Sequence, residues 1–194
     1  MKSRSLILTV AIGIAVLLQG CGLKPQYLHL DPPVKATGQP LGAGGMIALA
    51  VNDTRSDKKL GEVGDPLTKM VDVSLTEDFR PAVYKRVSKA LTDLGFEVVP
   101  YSDAMVRAVE IDVQNLTLTS VKLPFNFQTE LQAQVAVRAR SPNQTYDRSF
   151  FVRQFQETAT PPYTRHSNEL VNNAVSQALS DALSDRQLLE LLTQ

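Results

Sequence analysis

The stretch Phe127-Gln-Thr-Glu-Leu-Gln-Ala-Gln-Val-Ala-Val-Arg-Ala139 alternates apolar and polar residues more cleanly than any other in the chain. Side chains along a strand point alternately to its two faces. Phe127, Leu131, Ala133, Val135, Val137 and Ala139 therefore share one face, and Gln128, Glu130, Gln132, Gln134 and Arg138 share the other. A strand with one apolar and one polar face belongs to a sheet covered on one side and wet on the other. Ser141-Pro-Asn-Gln144 supplies a turn, and residues 146–157 return as the antiparallel partner. Upstream, Val109, Ile111 and Val113 alternate with Glu110, Asp112 and Gln114. The phase then slips by one to Leu116 and Leu118, which predicts a β-bulge near Asn115.

Working outward, Met46-Ile-Ala-Leu-Ala-Val51 is an apolar run bounded by Gly and Asn-Asp, the pattern of a buried strand. A polar loop is expected over residues 52–65, then a strand over 69–75. A helix follows, with Thr76 or Asp78 as its cap. Phe79, Val83, Val87, Ala90, Leu91 and Leu94 fall on one face of it. Pro81 is tolerable only in the first turn, and Gly95 suits a left-handed stop. Residues 96–100 read as another short strand. Pro161-Pro162 breaks the chain, and Ser167 is the expected cap of a final helix. Leu170, Val171, Ala174, Val175, Ala178, Leu179, Ala182 and Leu183 line its apolar face, with a kink near Asp185 before Leu188 and Leu189. The fold expected is α+β, a two-layer sandwich. It has a mixed, mostly antiparallel sheet of about five strands and two helices on one face.

The N-terminus carries a different signal. Lys2 and Arg4 precede an apolar run over residues 6–18, and then comes Leu18-Gln19-Gly20-Cys21. A short positive end before a short apolar stretch is a secretory signal. The run is shorter than the roughly 18 to 20 apolar residues of a permanent spanning helix. Gly20 before a cysteine fits a lipobox, with cleavage between Gly20 and Cys21 and diacylglycerol plus an N-acyl chain on Cys21. No other cofactor is expected. Cys21 is the only cysteine, so no internal disulfide can form. One acyl chain anchors only marginally, but about three hold a protein to a membrane durably. Gly22, rather than Asp, follows the cysteine, which under the sorting rule of diderm bacteria directs the protein to the outer membrane, facing the periplasm. Residues 1–20 are thus the signal peptide and 21–45 a lipidated Pro/Gly-rich tether. Residues 46–194 form a single periplasmic domain. A flexible tether of this length would span about 25 to 30 Å; Tyr27 and Leu28 are the residues with which part of it would pack on the domain instead.

Lys+Arg and Asp+Glu each number 20, and loss of Lys2 and Arg4 with the signal leaves two negative charges in excess. That balance argues against a nucleic-acid partner and offers no polybasic patch for anionic lipid. Two histidines, His29 and His166, lack further ligands at metal spacing. No phosphate loop, dinucleotide fingerprint or nucleophile elbow is present. Asp53, Glu62 and Asp65 share the polar loop, but nothing fixes their separation as a catalytic pair. No metal or catalytic residue is therefore assigned, and a cell-wall-active enzyme ranks last among the function classes.

Two features remain as candidates for partner binding. Asp53 and Arg55 of Asp53-Thr54-Arg55 either pin the loop through an Asx-turn and an ion pair or form a partner-binding edge. Phe151, Arg153 and Phe155 share one face of their strand, opposite Phe150 and Val152. If the core takes Phe150 and Val152, the others form an exposed apolar patch that marks an interaction site; alternatively the tether or a loop covers them.

Several of these elements together resemble the YajG-type lipoproteins of Gram-negative bacteria. They are the lipobox, the Pro/Gly tether, the Asp-x-Arg loop and Val71-Asp-Val-Ser-Leu-Thr-Glu-Asp-Phe-Arg80. Leu94-Gly95-Phe96, the turn at Ser141 to Gln144 and the closing helix with Asn172-Asn173-Ala174-Val175 complete the set. Gln19 and Pro81 depart from the pattern. The resemblance implies an outer-membrane lipoprotein and brings no catalytic residues. The function expected is a non-enzymatic accessory, held to the membrane by its lipid, that binds an envelope protein. The alternative is a small-ligand or glycan-binding module, with Gln128, Gln132 and Gln134 lining its pocket.

Overall fold

The computed structural model describes residues 23–36 and 41–194. The signal segment, Gly20 and Cys21 lie outside the described residues. Eight strands form one mixed sheet: β1 (Gln26–Leu28), β2 (Met46–Asp53), β3 (Lys59–Asp65), β4 (Lys69–Leu75), β5 (Glu97–Pro100), β6 (Ala108–Lys122), β7 (Phe127–Arg140) and β8 (Thr145–Thr158). Three helices accompany it among the described residues: α1 (Arg80–Asp93), α2 (Thr164–Leu183) and α3 (Arg186–Thr193).

The long hairpin expected around residues 127–157 is present in full register, from Phe127↔Thr158 to Arg140↔Thr145. Its apolar face is buried, and Gln128, Gln132 and Gln134 of β7 sit on the face without helices. The bulge falls between Val113 and Asn115, where the phase of β6 slips. On its other edge β6 meets two strands in succession. β2 runs parallel to it from Ala48↔Ala108 to Asp53↔Val113, and β3 resumes at Gly61↔Leu118. The sheet is therefore forked. β5 lies beyond β2, while β4 and then β1 lie beyond β3. α1 packs on β2 and β5. α2 packs on β7 and β8 and also reaches β1 at the opposite margin. One helix touches both margins only because the sheet curls around it. The side chains of Ile47, Leu49, Val109, Ile111, Leu131, Val135, Val171, Val175 and Leu179 fill the enclosed core.

This corrects the expected architecture. The sheet has eight strands rather than about five, and it is curled rather than one flat layer of a sandwich. Four of its pairings are parallel (β1/β4, β2/β5, β2/β6, β3/β6) and three antiparallel. The expected loop over residues 52–65 is mostly strand, the end of β2 and all of β3, with only residues 54–58 between them. β3 carries Gly61 and Gly64 among polar residues, so it shows no apolar alternation. Those glycines instead permit close backbone approach, with φ of +151° and +136°.

Local expectations divide similarly. Val83, Val87, Ala90 and Leu91 face the core along α1. Pro81 is its second residue, where no helical N–H bond is required, and Gly95 at φ +90° terminates it. The cap is not Thr76 or Asp78. Phe79 holds that position without a side-chain bond, and Asp78 instead accepts from the Arg80 backbone N–H at 3.0 Å and clamps its guanidinium. Ser167 lies inside α2, fully buried, because the helix already begins at Thr164. The kink near Asp185 is a break: its carboxylate caps α3 by accepting from Gln187 and Leu188 N–H at 2.9 and 3.2 Å.

The expected tether is the largest correction at the N-terminus. Leu28 and Leu30 are buried, and β1 pairs with β4. From there the chain runs extended along α2, and every second backbone unit meets a side chain one helical turn further on. His29 N–H donates to Asn168 Oδ1 at 2.7 Å and Asp31 N–H to Asn172 Oδ1 at 2.8 Å. Ser176 Oγ donates to the Pro33 carbonyl, and Lys35 N–H donates to Ser180 Oγ at 3.1 Å. The match is geometric. Two extended residues advance about 6.5 Å and four helical residues about 6 Å, so a polar residue at every fourth helical position keeps step with every second strap residue. Arg86 on α1 closes over the strap through Asp31 at 2.7 Å. Prolines do not loosen this segment, because its bonds go to side chains rather than to a sheet ladder.

Candidate functional site

Two places gather the candidate residues. The first is the fork. β2 ends at Asp53, the chain bows outward, and β3 starts at Lys59. Thr54 holds the bow by donating its N–H and its hydroxyl to the Val113 carbonyl, at 3.0 and 3.2 Å. Arg55 turns inward with only 5% of its side chain exposed. Its Nε and Nη2 donate to Asp53 Oδ1 and Oδ2 at 2.8 and 2.9 Å, a bidentate fork. The face of the guanidinium lies 5.2 Å from the centre of the Phe79 ring. Burial pushes the Asp53 carboxyl up, but hydrogen bonds from Arg55 and Lys58, with their charges, outweigh it and hold the carboxyl well below the usual range. Asp53 and Arg55 thus pin the loop onto the first turn of α1.

Beneath the bow lies a cleft of about 530 Å³. Arg55, Lys59, Leu60, Asn115, Thr117 and Ser120 are among its lining residues. The ladder on this edge of β6 stops at Val113 and restarts at Leu118. Two of the lining residues each carry a buried atom with no hydrogen-bond partner, Arg55 Nη1 and Ser120 Oγ. Such atoms call for a ligand or solvent acceptor. Both cations at the cleft are paired, Arg55 with Asp53 and Lys59 with Glu62 and Asp72 at 2.7 and 2.6 Å, while the Asp57 carboxylate accepts from the Lys59 backbone N–H at 2.8 Å.

The second place is the face of the sheet opposite the helices. Val152 enters the core and Phe150 packs against it, so Phe151 and Phe155 point outward, 58% and 54% exposed. Arg153 lies between them and pairs with Glu130 across the strands at 2.7 Å, its guanidinium 5.9 Å from the centre of the Phe155 ring. The register aligns Asn115, Gln134 and Phe151 in one row, and Thr117, Gln132 and Arg153 in the next. Gln132 and Gln134 spend their amide donors on Glu130 and Gln114, at 2.7 and 2.9 Å. The cleft lies on the far edge of β6, with β7 and β6 between it and β8.

The three carboxylates once grouped in a loop are separated by the strand. Asp53 serves Arg55, Glu62 serves Lys59, and Asp65 pairs with Lys122. His29 meets Glu77 at 2.7 Å, and His166 lies within α2. Among the described residues no cluster of three or more metal-ligating side chains occurs. None of their helices is long and apolar enough to cross a membrane. Ser120 escaped the sequence analysis because it sits on the apolar phase of β6; its polarity within that phase was the available signal.

A family model described as an uncharacterized lipoprotein, Lipoprotein_16, matches residues 32–193. No curated relative matches the chain. Among solved structures, a Xanthomonas campestris protein of family model DUF330 is similar at TM-score 0.53 and 12% identity, over 89% of this chain and 96% of that one. A Helicobacter pylori protein described as a neuraminyllactose-binding hemagglutinin homologue is similar at TM-score 0.50 and 10% identity, over 86% of this chain and 98% of that one. At these identities the likeness concerns the fold alone.

Proposed function

The chain belongs to the Lipoprotein_16 family of uncharacterised, YajG-type lipoproteins, and from that premise we propose that it is a non-enzymatic binding protein, anchored through lipid on Cys21 to the periplasmic side of the outer membrane. Its open sheet face docks an envelope protein. The observation that carries this reading is the outward placement of Phe151 and Phe155 on a strand whose opposite face is core. Two large apolar side chains on one helix-free face favour a protein interface. In-cell crosslinking followed by identification of the captured proteins tests it. A reproducible partner should be lost in the Phe151→Ala/Phe155→Ala double variant. An unchanged set of partners in that variant removes this face from consideration.

The fork supports a second reading, a small-ligand or glycan site. Arg55 Nη1 and Ser120 Oγ offer buried hydrogen-bonding groups, Leu60 and Leu116 an apolar wall, and the pairing of both cations with carboxylates favours a neutral ligand over an anion. The description of the Helicobacter pylori neighbour as a neuraminyllactose-binding hemagglutinin homologue makes glycans the natural first probe. Titration with N,N′-diacetylchitobiose should shift the backbone amides around Leu116 to Ser120, and Ser120→Ala should weaken binding roughly tenfold, the equivalent of one hydrogen bond. Shifts confined to other parts of the molecule would exclude the fork.

A further inference from the structure

We propose that the end of the sheet formed by the β3–β4 and β6–β7 turns inserts into the surface of a phospholipid bilayer. This rests on the proposed lipid anchorage at Cys21.

Both turns have the same composition, a proline followed by a large apolar residue: Pro66-Leu67 and Pro124-Phe125. Leu67 is 87% exposed and Phe125 94%, the two most exposed large apolar side chains among the described residues. β3 and β6 run parallel, so their C-terminal ends lie at the same end of the sheet. The Asp65–Lys122 ion pair ties the two turns together there. A single exposed leucine needs no explanation, but one large apolar side chain at the tip of each of two turns tied together at the same end of the sheet makes an apolar prow.

The chain's own topology brings the anchor to this end. β1 runs parallel to β4, with Gln26 opposite Val73, and β4 starts at the prow with Lys69. The chain preceding Gln26 therefore leads toward the prow. Leu23, Lys24 and Pro25 share a hollow with Tyr163, Thr164 and Arg165 at the start of α2. α2 starts at the same end, because β8 finishes there with Thr158 opposite Phe127. From Leu23, Cys21 is at most about 7 Å of chain away. A lipid on Cys21 and the two exposed side chains would meet one membrane plane.

The backbone of the turns is suited to a low-dielectric surface. Leu123 N–H donates to the Asn126 carbonyl at 2.8 Å, Thr68 N–H to the Asp65 carbonyl at 3.0 Å and Leu67 N–H to Asp65 Oδ1 at 2.9 Å. These groups need no water, so moving the tips into the interface does not strand them. Lys24, before β1, and Lys69, the first residue of β4, stand behind the tips, at the depth where long basic side chains reach headgroup phosphates.

The chain contains no tryptophan, so single substitutions report one position each. Full-length lipidated Leu67→Trp and Phe125→Trp proteins are reconstituted in phosphatidylethanolamine/phosphatidylglycerol vesicles, with Phe151→Trp as a position about 23 Å up the sheet from the prow. The expected result is a blue-shifted emission that brominated acyl chains quench for both tips, and an aqueous, unquenched emission for Phe151→Trp. Protein that floats with the vesicles while both tips remain aqueous and unquenched overturns this inference and leaves the anchorage standing. Quenching of all three positions alike overturns it too, since no end is then selected. Protein that does not float with the vesicles overturns the anchorage itself.

Discussion

Replacing Gly61 by alanine is expected to lower the unfolding free energy by about 3 kcal/mol or more. A Cβ at this position would fall 1.8 Å from the Leu118 carbonyl oxygen and 2.9 Å from its carbon. The obstacle is backbone of the central strand, which cannot rotate aside. The φ of +151° adds strain for any residue with a side chain. Relief requires β3 to withdraw from β6, which breaks the short parallel ladder and opens the cleft. Urea unfolding measures the effect. Gly44→Ala is the internal comparison: Gly44 also has a positive φ, +78°, but nothing lies near its would-be Cβ, so only the conformational penalty of about 1 kcal/mol is expected. If Gly61→Ala proves no worse than Gly44→Ala, β3 and β6 are not held in contact as described.

Asp53→Ala should produce the second large loss, about 3 to 5 kcal/mol. It leaves the Arg55 guanidinium buried, stacked on Phe79 and without its carboxylate. The Asp53→Ala/Arg55→Met double variant should recover much of that loss, because the cost lies in the uncompensated charge rather than in the missing pair. The acid dependence has a definite sign. The Asp53 carboxyl is lowered in the folded protein, so it contributes stability that is complete above its unfolded pKa, near 4. That contribution declines as the pH falls below about 4 toward the folded value. Wild type and Asp53→Asn should therefore differ most at neutral pH and converge in strong acid. A difference independent of pH between 2 and 7 would contradict the ion-pair account.

The residues that announced themselves were those whose role is periodic. β7 and β8 were legible from alternation, the bulge in β6 from one slipped phase, and α1 and α2 from apolar residues at helical spacing. β3 was not, because Gly61 and Gly64 are there for close approach and the flanking Lys59, Glu62 and Asp65 for ion pairs. Neither purpose leaves a period. The strap was hidden for a related reason. Its prolines resemble a linker, and its partners, Asn168, Asn172, Ser176 and Ser180, read as the wet side of an amphipathic helix. The candidate sites show the same division. That Phe151, Arg153 and Phe155 share one face followed from parity, but whether that face is exposed or covered did not, and Arg55 read as a partner for some carboxylate without Asp53 being singled out. The cleft itself arises where β6 changes neighbours, a tertiary event that joins residues 55 and 120 and that no local pattern records.

The ladder between the strap and α2 joins residues 139 to 145 positions apart. During synthesis the strap emerges first and its docking helix nearly last. Contacts of such long separation form late. The strap thus stays undocked until almost the whole chain has been made. Once α2 arrives, the first and last parts of the body clasp each other. The fold then acts as a timer that seals its beginning only when its end has been made.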